Sequence, residues 1–145
     1  MARLFGSEDI EQEAVMEWAR LSKRSHPELF LLHHAPNGGT RNRGEAAKLQ
    51  KMGVLSGVPD QHLPVPKGKY SSLYIEMKYE DGRLSRTQKD FLEWAASYGN
   101  YCCVCYTAEE AIQVLRHYLG LKDPESSMPY ENLSILNKGS IKNMQ

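Results

Sequence analysis

The chain has 145 residues, of which 41% are hydrophobic and 25% are charged, with 18 basic residues balanced by 18 acidic ones. A chain of this size favours one domain around one hydrophobic core. The apolar content is too high for a disordered chain, and the longest apolar runs are far shorter than the ~20 residues that a membrane-spanning helix needs. Composition therefore predicts a soluble domain with no membrane partner.

The predicted elements of the first half begin with an amphipathic helix over about 8–23, because apolar residues recur there at three- and four-residue spacing. A short apolar run at 29–34 predicts a buried strand that ends at a turn over 36–39. A second helix is expected over 43–52, with a glycine at its C-terminal end. The helical spacing of the first helix places these side chains toward the core: Ile10, Ala14, Val15, Trp18 and Leu21.

Two strands joined by a tight turn are predicted next, over 60–65 and 73–79. Ser85 and Gln88 fit a capping box that opens a third helix, which carries apolar residues, including Trp94, to a stop at Gly99. A core strand over 101–106 follows, and Thr107 with Glu110 predicts a second capping box and a last helix ending at Gly120. This order predicts an α/β domain with a mixed four-stranded sheet flanked by helices.

The domain is predicted to cover residues 7–120. Residues 121–145 contain Pro124 and Pro129 without a sustained period, and they predict an extension that is either flexible or docked on a neighbouring subunit. The three cysteines lie within four positions, which argues against a disulfide framework and for a reducing compartment. His33 and His34 have no Cys or His at zinc spacing, so packing or exposure is expected of them.

Residues 41–89 carry ten Lys and Arg against five Asp and Glu, although the whole chain is neutral. A local excess of this kind is typical either of a surface that faces phosphates or of an ordinary solvated face with mixed charges.

The two turn-linked strands hold the residues that point to chemistry. Asp60 opens one strand, while Glu76 and Lys78 share a face of the other and Met77 points the opposite way. A hairpin brings Asp60 toward Glu76 and Lys78. Carboxylates are the ligands that Mg²⁺ prefers, and a nearby lysine suits metal-assisted hydrolysis of a phosphodiester. The alternative interpretation is an exposed salt-bridge face on a strand pair.

Several short motifs resemble those of the VRR-NUC family, the virus-type replication-repair nucleases of the PD-(D/E)xK superfamily. They are 56–60 (Ser-Gly-Val-Pro-Asp), 74–78 (Tyr-Ile-Glu-Met-Lys) and 84–88 (Leu-Ser-Arg-Thr-Gln), together with 35–39 (Ala-Pro-Asn-Gly-Gly) upstream. The Glu11-Gln12 helix with Trp18 also matches. The resemblance covers roughly residues 7–119 and implies a restriction-endonuclease-like PD-(D/E)xK core.

The resemblance also implies roles for single residues. Asp60 and Glu76 would be metal ligands, with the main-chain carbonyl of Met77 as a further ligand, and Lys78 would be the catalytic lysine. A glutamate of the first helix would face the metal. Glu11 is the choice here, with Glu8 and Glu13 as competitors and a purely helix-stabilising role as the alternative.

Gln88 matches a downstream glutamine expected near the active site, and the capping box alone also explains it. Asn37 and Gly38 fit either a phosphate-binding turn or an ordinary connection. The basic residues that fit phosphate contacts are Arg41, Arg43, Lys48, Lys51, Lys67 and Lys69.

The predicted function is therefore that of a Mg²⁺- or Mn²⁺-dependent DNA endonuclease that hydrolyses phosphodiester bonds in replication, repair or recombination. Small stand-alone relatives imply a homodimer acting on branched DNA such as a Holliday junction, in the cytoplasm of a bacterium or a phage-infected host cell. Two alternatives remain open: a catalytically silent nucleic-acid-binding module, and an RNA nuclease on the same fold.

Overall fold

A computed structural model describes residues 7–36 and 42–130 of the protein. The helices are α1 (Glu8–Ser22), α2 (Arg43–Lys51), α3 (Arg86–Ser97) and α4 (Ala108–Leu119). The strands are β1 (His33–His34), β2 (Gln61–Leu63), β3 (Leu73–Met77) and β4 (Tyr101–Cys105). A 3₁₀ turn over Pro27–Leu31 precedes β1. The predicted order of helices and strands is confirmed, while β2 and β3 are shorter than predicted.

The four strands form one sheet in the order β1-β2-β3-β4. The β1–β2 and β2–β3 pairs are antiparallel, and the β3–β4 pair is parallel because α3 crosses over between those strands. This mixed sheet confirms the predicted fold class. In the β2–β3 pair, Gln61 lies opposite Ile75, so Asp60 just before β2 comes opposite Glu76 near the end of β3.

Each of these α-helices begins after a polar residue whose side chain accepts a backbone N–H of the first turn, which satisfies one donor that the helix leaves unpaired. For α3, Ser85 and Gln88 form the complete predicted capping box. For α4 the prediction is half right, because Glu110 accepts from the N–H of Tyr106 instead of Thr107. The N-cap residues are Ser7, Asn42, Ser85 and Thr107.

The buried face of α1 differs from the predicted one. Val15 and Ala19 are buried, whereas Ile10 is 36% exposed and Leu21 is 76% exposed. Adjacent apolar residues on this helix fit two overlapping apolar faces. Packing against α4 and β3 buries the face that contains Val15 and Ala19.

The predicted strand over 29–34 is wrong for most of its length. Residues 27–31 form the 3₁₀ turn, in which Leu29 is buried while Phe30 is 69% exposed. Pro27 favours a helical turn start, and only two residues reach the sheet. An apolar run of this length does not by itself separate a strand from a helical turn.

The core lies on both faces of the sheet. One face packs against α1 and α4 through Leu63, Leu73 and Ile75, and the other packs against α3 through Leu92. Because both faces are covered, β3 buries its polar residues as well as its apolar ones. The three cysteines of β4 are buried, and burial raises the pKa of Cys102 to about 12, so they act as small hydrophobic side chains.

Residues 121–130, the first part of the predicted extension, pack on this core. Met128 and Tyr130 are buried, and the Met128 N–H donates to the hydroxyl of Tyr70. Residues 131–145 lie outside the described residues. No helix within 7–36 and 42–130 is long and apolar enough to span a membrane.

Candidate active site

The predicted carboxylates and lysine meet where β2 begins and β3 ends. The Met77 N–H donates to Oδ2 of Asp60 at 2.7 Å, which fixes the Asp60 side chain against β3. The carbonyl of Asp60 accepts from the Ala35 N–H at 3.0 Å and from Nδ1 of His34 at 2.7 Å. Both the side chain and the main chain of Asp60 are therefore held by neighbouring strands.

Glu76 is the most deeply buried acid of this cluster, with 2% of its surface exposed. Its pKa is raised to about 9, mainly by burial and then by the charge of Asp60 and a side-chain hydrogen bond with Asp60, while Lys78 opposes the shift. Two carboxyl groups this close do not both ionise readily without a cation. The two side chains are thus suited to bind a cation.

Lys78 supplies a buried cation beside the two acids. Its Nζ lies 3.8 Å from Oε2 of Glu76, and the residue is 8% exposed. Its backbone N–H donates to the Cys105 carbonyl, so the pairing of β3 with β4 continues to Lys78. This pairing fixes the direction of the Lys78 side chain. The amine therefore sits within reach of any group held by the carboxylates.

Gln88 makes the contacts of the capping box and also contacts Glu76. Its Oε1 accepts from the Ser85 N–H at 2.9 Å as part of the capping box, and its Nε2 donates to Oε2 of Glu76 at 3.2 Å. One amide group thus ties the start of α3 to the buried carboxylate and sets its orientation.

Gly57 brings the loop before Asp60 against α3. Its φ is +88°, and a Cβ built on it would lie 2.5 Å from the backbone of Thr87. Only glycine allows this approach without a backbone shift. The glycine of the 56–60 motif therefore has a packing reason for its place.

The glutamates of α1 are placed differently from the expectation for Glu11. Oε1 of Glu11 accepts from the Ala108 N–H at 3.0 Å, at the first turn of α4. Glu8 instead interacts electrostatically with Lys78 and Asp60; burial raises the pKa of Glu8, and Asp60 and Asp9 add to the rise while Lys78 opposes it. Of the three glutamates, Glu8 interacts with the charges of the cluster and Glu11 is held at the first turn of α4, while both Glu8 and Glu13 are exposed.

A divalent metal fits this donor set, although in the described part of the chain no three Asp, Glu, His or Cys side chains form a preassembled metal site. The negative charges of Asp60 and Glu8 both raise the pKa of Glu76, so the cluster favours a bound positive charge, as a proton or as a metal ion. Hard cations prefer oxygen donors of this kind and would replace that proton.

The predicted phosphate contacts separate into three groups. Arg43, Lys48 and Lys51 lie exposed on α2. Lys67 and Lys69 lie in the loop joining β2 to β3. This loop is at the opposite end of the hairpin from Asp60, and the length of β3, about 13 Å, separates the two ends. Lys67 also pairs with Glu28 at 2.6 Å, and this hydrogen bond lowers the pKa of Glu28. Asn37, Gly38 and Arg41 lie outside the described residues.

Sequence reasoning missed a buried amide pair behind the cluster. Nε2 of Gln61, a fully buried residue, donates to Oε1 of Gln12 at 2.6 Å and links α1 to β2 directly after Asp60. The available signal was a polar residue inside a strand, at the position next to the predicted metal ligand. The contact of His34 with Asp60 was missed because it depends on tertiary structure.

A mixed sheet with two carboxylates, a lysine and a glutamine at one strand end defines a nuclease-type site, and comparisons with known proteins agree. The family model for the VRR-NUC domain matches residues 6–109. A solved structure titled "VRR_NUC domain protein" is 32% identical with a TM-score of 0.72, covering 85% of this chain and 98% of that one. No curated protein matches the chain. The chain belongs to the VRR-NUC family.

Proposed function

We propose that this protein is a metal-dependent DNA endonuclease that hydrolyses phosphodiester bonds. Family membership supports nuclease-type function. The single observation that carries the proposal is the arrangement of Asp60, Lys78 and Gln88 around the buried carboxyl group of Glu76.

Asp60 and Glu76 would hold the metal, with the Met77 carbonyl as the further ligand and Glu8 or Glu11 as the contribution of α1. A bound Mg²⁺ or Mn²⁺ supplies Lewis acidity toward a phosphoryl oxygen and a nucleophilic water at neutral pH. The chain's own groups prepare the site: Gln88 orients the Glu76 carboxylate, and the Met77 N–H orients that of Asp60.

Lys78 would act on the reacting phosphate or on the attacking water. Its amine is buried beside Glu76, so its charge is only weakly screened there. A fixed cation at this position stabilises the negative charge that grows on the phosphate oxygens, or it orients the water for attack.

Cleavage of supercoiled plasmid in Mg²⁺ and in Mn²⁺ tests the proposal. We expect the wild type to nick the plasmid, and Lys78→Ala and Asp60→Asn to lower the rate by about 100-fold or more. The matched controls Lys122→Ala and Asp123→Asn change exposed residues outside the site and should cleave like the wild type. Equal rates in all five proteins would contradict the proposal, as would no cleavage by any of them.

Action on branched DNA by a homodimer is the finer part of the proposal. A chain of this size offers little surface for gripping a junction, and two copies would present two active sites. A four-way junction cut faster than linear duplex, flaps or nicks would support it. Light scattering that shows a monomer both with and without junction DNA would contradict the dimer. Binding without cleavage would favour a silent module, and a parallel RNA substrate tests the RNA alternative.

A further inference from the structure

A groove lined by aromatic side chains lies along α3, beside the candidate active site. Its cavity has a volume of about 530 Å³, and we call it the aromatic groove. Trp94 is 67% exposed and Tyr98 is 74% exposed, with their rings nearly parallel at 18° and their centroids 6.3 Å apart. Large aromatic rings left open to water in this way mark binding surfaces. The aromatic and apolar side chains of the groove are Leu55, Tyr74, Phe91, Trp94 and Tyr98.

The aromatic groove approaches the active site through a second cavity and Gln88. Leu55, Ser56 and Thr87 line both it and a neighbouring cavity of about 330 Å³, which reaches Gln88. Gln88 in turn contacts Glu76. Along α3, Trp94 lies six positions after Gln88, a rise of about 9 Å. At the rise of about 3.4 Å per nucleotide in a duplex strand, this distance corresponds to about two or three nucleotides.

A helix that carries several exposed cations borders the neighbouring cavity. Ala46, Leu49 and Gln50 of α2 line the neighbouring cavity. This helix exposes the cations Arg43, Lys48 and Lys51 against one acid, Glu45. Proteins that bind single-stranded nucleic acid combine nearby positive charge, which attracts the backbone, with exposed aromatic rings on which bases stack.

We propose that the aromatic groove binds an unpaired base of the DNA strand that enters the active site, with Trp94 as the stacking surface and Tyr98 supporting it. This inference rests on the proposed nuclease function and adds a substrate feature to it. A base inside a duplex is already stacked on its neighbours and cannot offer its face to Trp94. The groove therefore favours substrates with unpaired nucleotides two or three positions from the cut.

Binding of a fluorescein-labelled 20-nucleotide oligo-dT, measured by anisotropy in EDTA, tests the inference without any need for cleavage. Trp94→Ala should weaken binding of oligo-dT by about 5- to 150-fold and binding of a blunt duplex by less than about twofold. Phe30→Ala is the matched control, because Phe30 is equally exposed but lies on the 3₁₀ turn outside the groove. This control should bind oligo-dT like the wild type.

Tryptophan fluorescence keeps the test decisive even if the alanine variant misfolds. Stacking of a base should quench wild-type emission, and Trp94→Phe should abolish that quenching, because the other tryptophan, Trp18, lies on α1 under Arg116. Equal quenching in both proteins, or equal oligo-dT affinity of Trp94→Ala and wild type, would overturn the inference. The inference would also be overturned if Trp94→Ala dissociated a dimer and left the affinity for oligo-dT unchanged. Quenching without plasmid cleavage would overturn only the proposed function.

Discussion

Glu76 is deeply buried, and its raised pKa means that its charged form is disfavoured in the metal-free protein. A buried acid of this kind lowers stability in exchange for function. We predict that Glu76→Gln raises the stability of the metal-free protein by about 1–2 kcal/mol while abolishing cleavage. Urea unfolding of both proteins in EDTA measures the difference, with Glu125→Gln on the surface as the control.

The pH dependence of this effect has a defined sign. The pKa of Glu76 is about 9 in the folded protein against 4.5 for an unperturbed glutamate. Between these values the folded state keeps a proton that the unfolded state has released, so the contribution of Glu76 to stability falls as pH rises. The advantage of Glu76→Gln should therefore grow from pH 5 to pH 9. An advantage that stays constant across this range would contradict the raised pKa.

The N-terminus of α3 joins a structural cap to the active site, and two substitutions separate these roles. Ser85→Ala removes the side chain that accepts from the Gln88 N–H and should lower stability by about 1 kcal/mol with cleavage nearly unchanged. Gln88→Ala also removes the donor to Glu76, so cleavage should fall by about tenfold or more. Equal plasmid-cleavage rates for the two variants would show that Gln88 acts only as a cap.

The loop between α2 and β2 depends on glycine at two positions for different reasons. Gly53 has φ +103° with nothing within 4 Å of an added Cβ, whereas Gly57 combines φ +88° with a backbone clash at Thr87. Gly53→Ala should lower stability by about 1–2 kcal/mol through conformational strain alone. Gly57→Ala should lower it further and displace Asp60, so cleavage should be lost. Urea unfolding and plasmid cleavage of the pair check this, and equal stabilities would exclude the clash.

At the scale of the whole molecule, residues beyond Gly120 complete the core. Met128 and Tyr130 are buried, and the Tyr101 hydroxyl donates to the Tyr130 carbonyl. A chain ending at Gly120 should lose about 4 kcal/mol or more, since it leaves two large cavities. A chain ending at Tyr130 keeps every described core contact and serves as the control. Identical urea midpoints for the two chains would contradict this account.

Much of the fold followed from local chemistry. The capping box at Ser85 and Gln88 was readable because the hydrogen bonds join residues three positions apart. The alternation in β3 predicted that Glu76 and Lys78 share a face, and the hairpin predicted their approach to Asp60. The predictions that were wrong concern the buried face of α1 and the strand expected at Leu29. In both cases two similar local patterns fit the same residues.

The amino-acid sequence by itself determined the order of elements, the family and the residues at the strand ends, because periodicity, capping and motif spacing are properties of neighbouring residues. The tertiary structure alone decided how Glu8 and Glu11 of α1 are placed, that Lys78 is buried, and that Trp94 stays in solvent. These depend on which faces of separate elements pack together. Glu8 and Glu11 lie three positions apart on α1, about 60° around the helix and about 4.5 Å along it, so the packing of α1 decides which of them faces the active site.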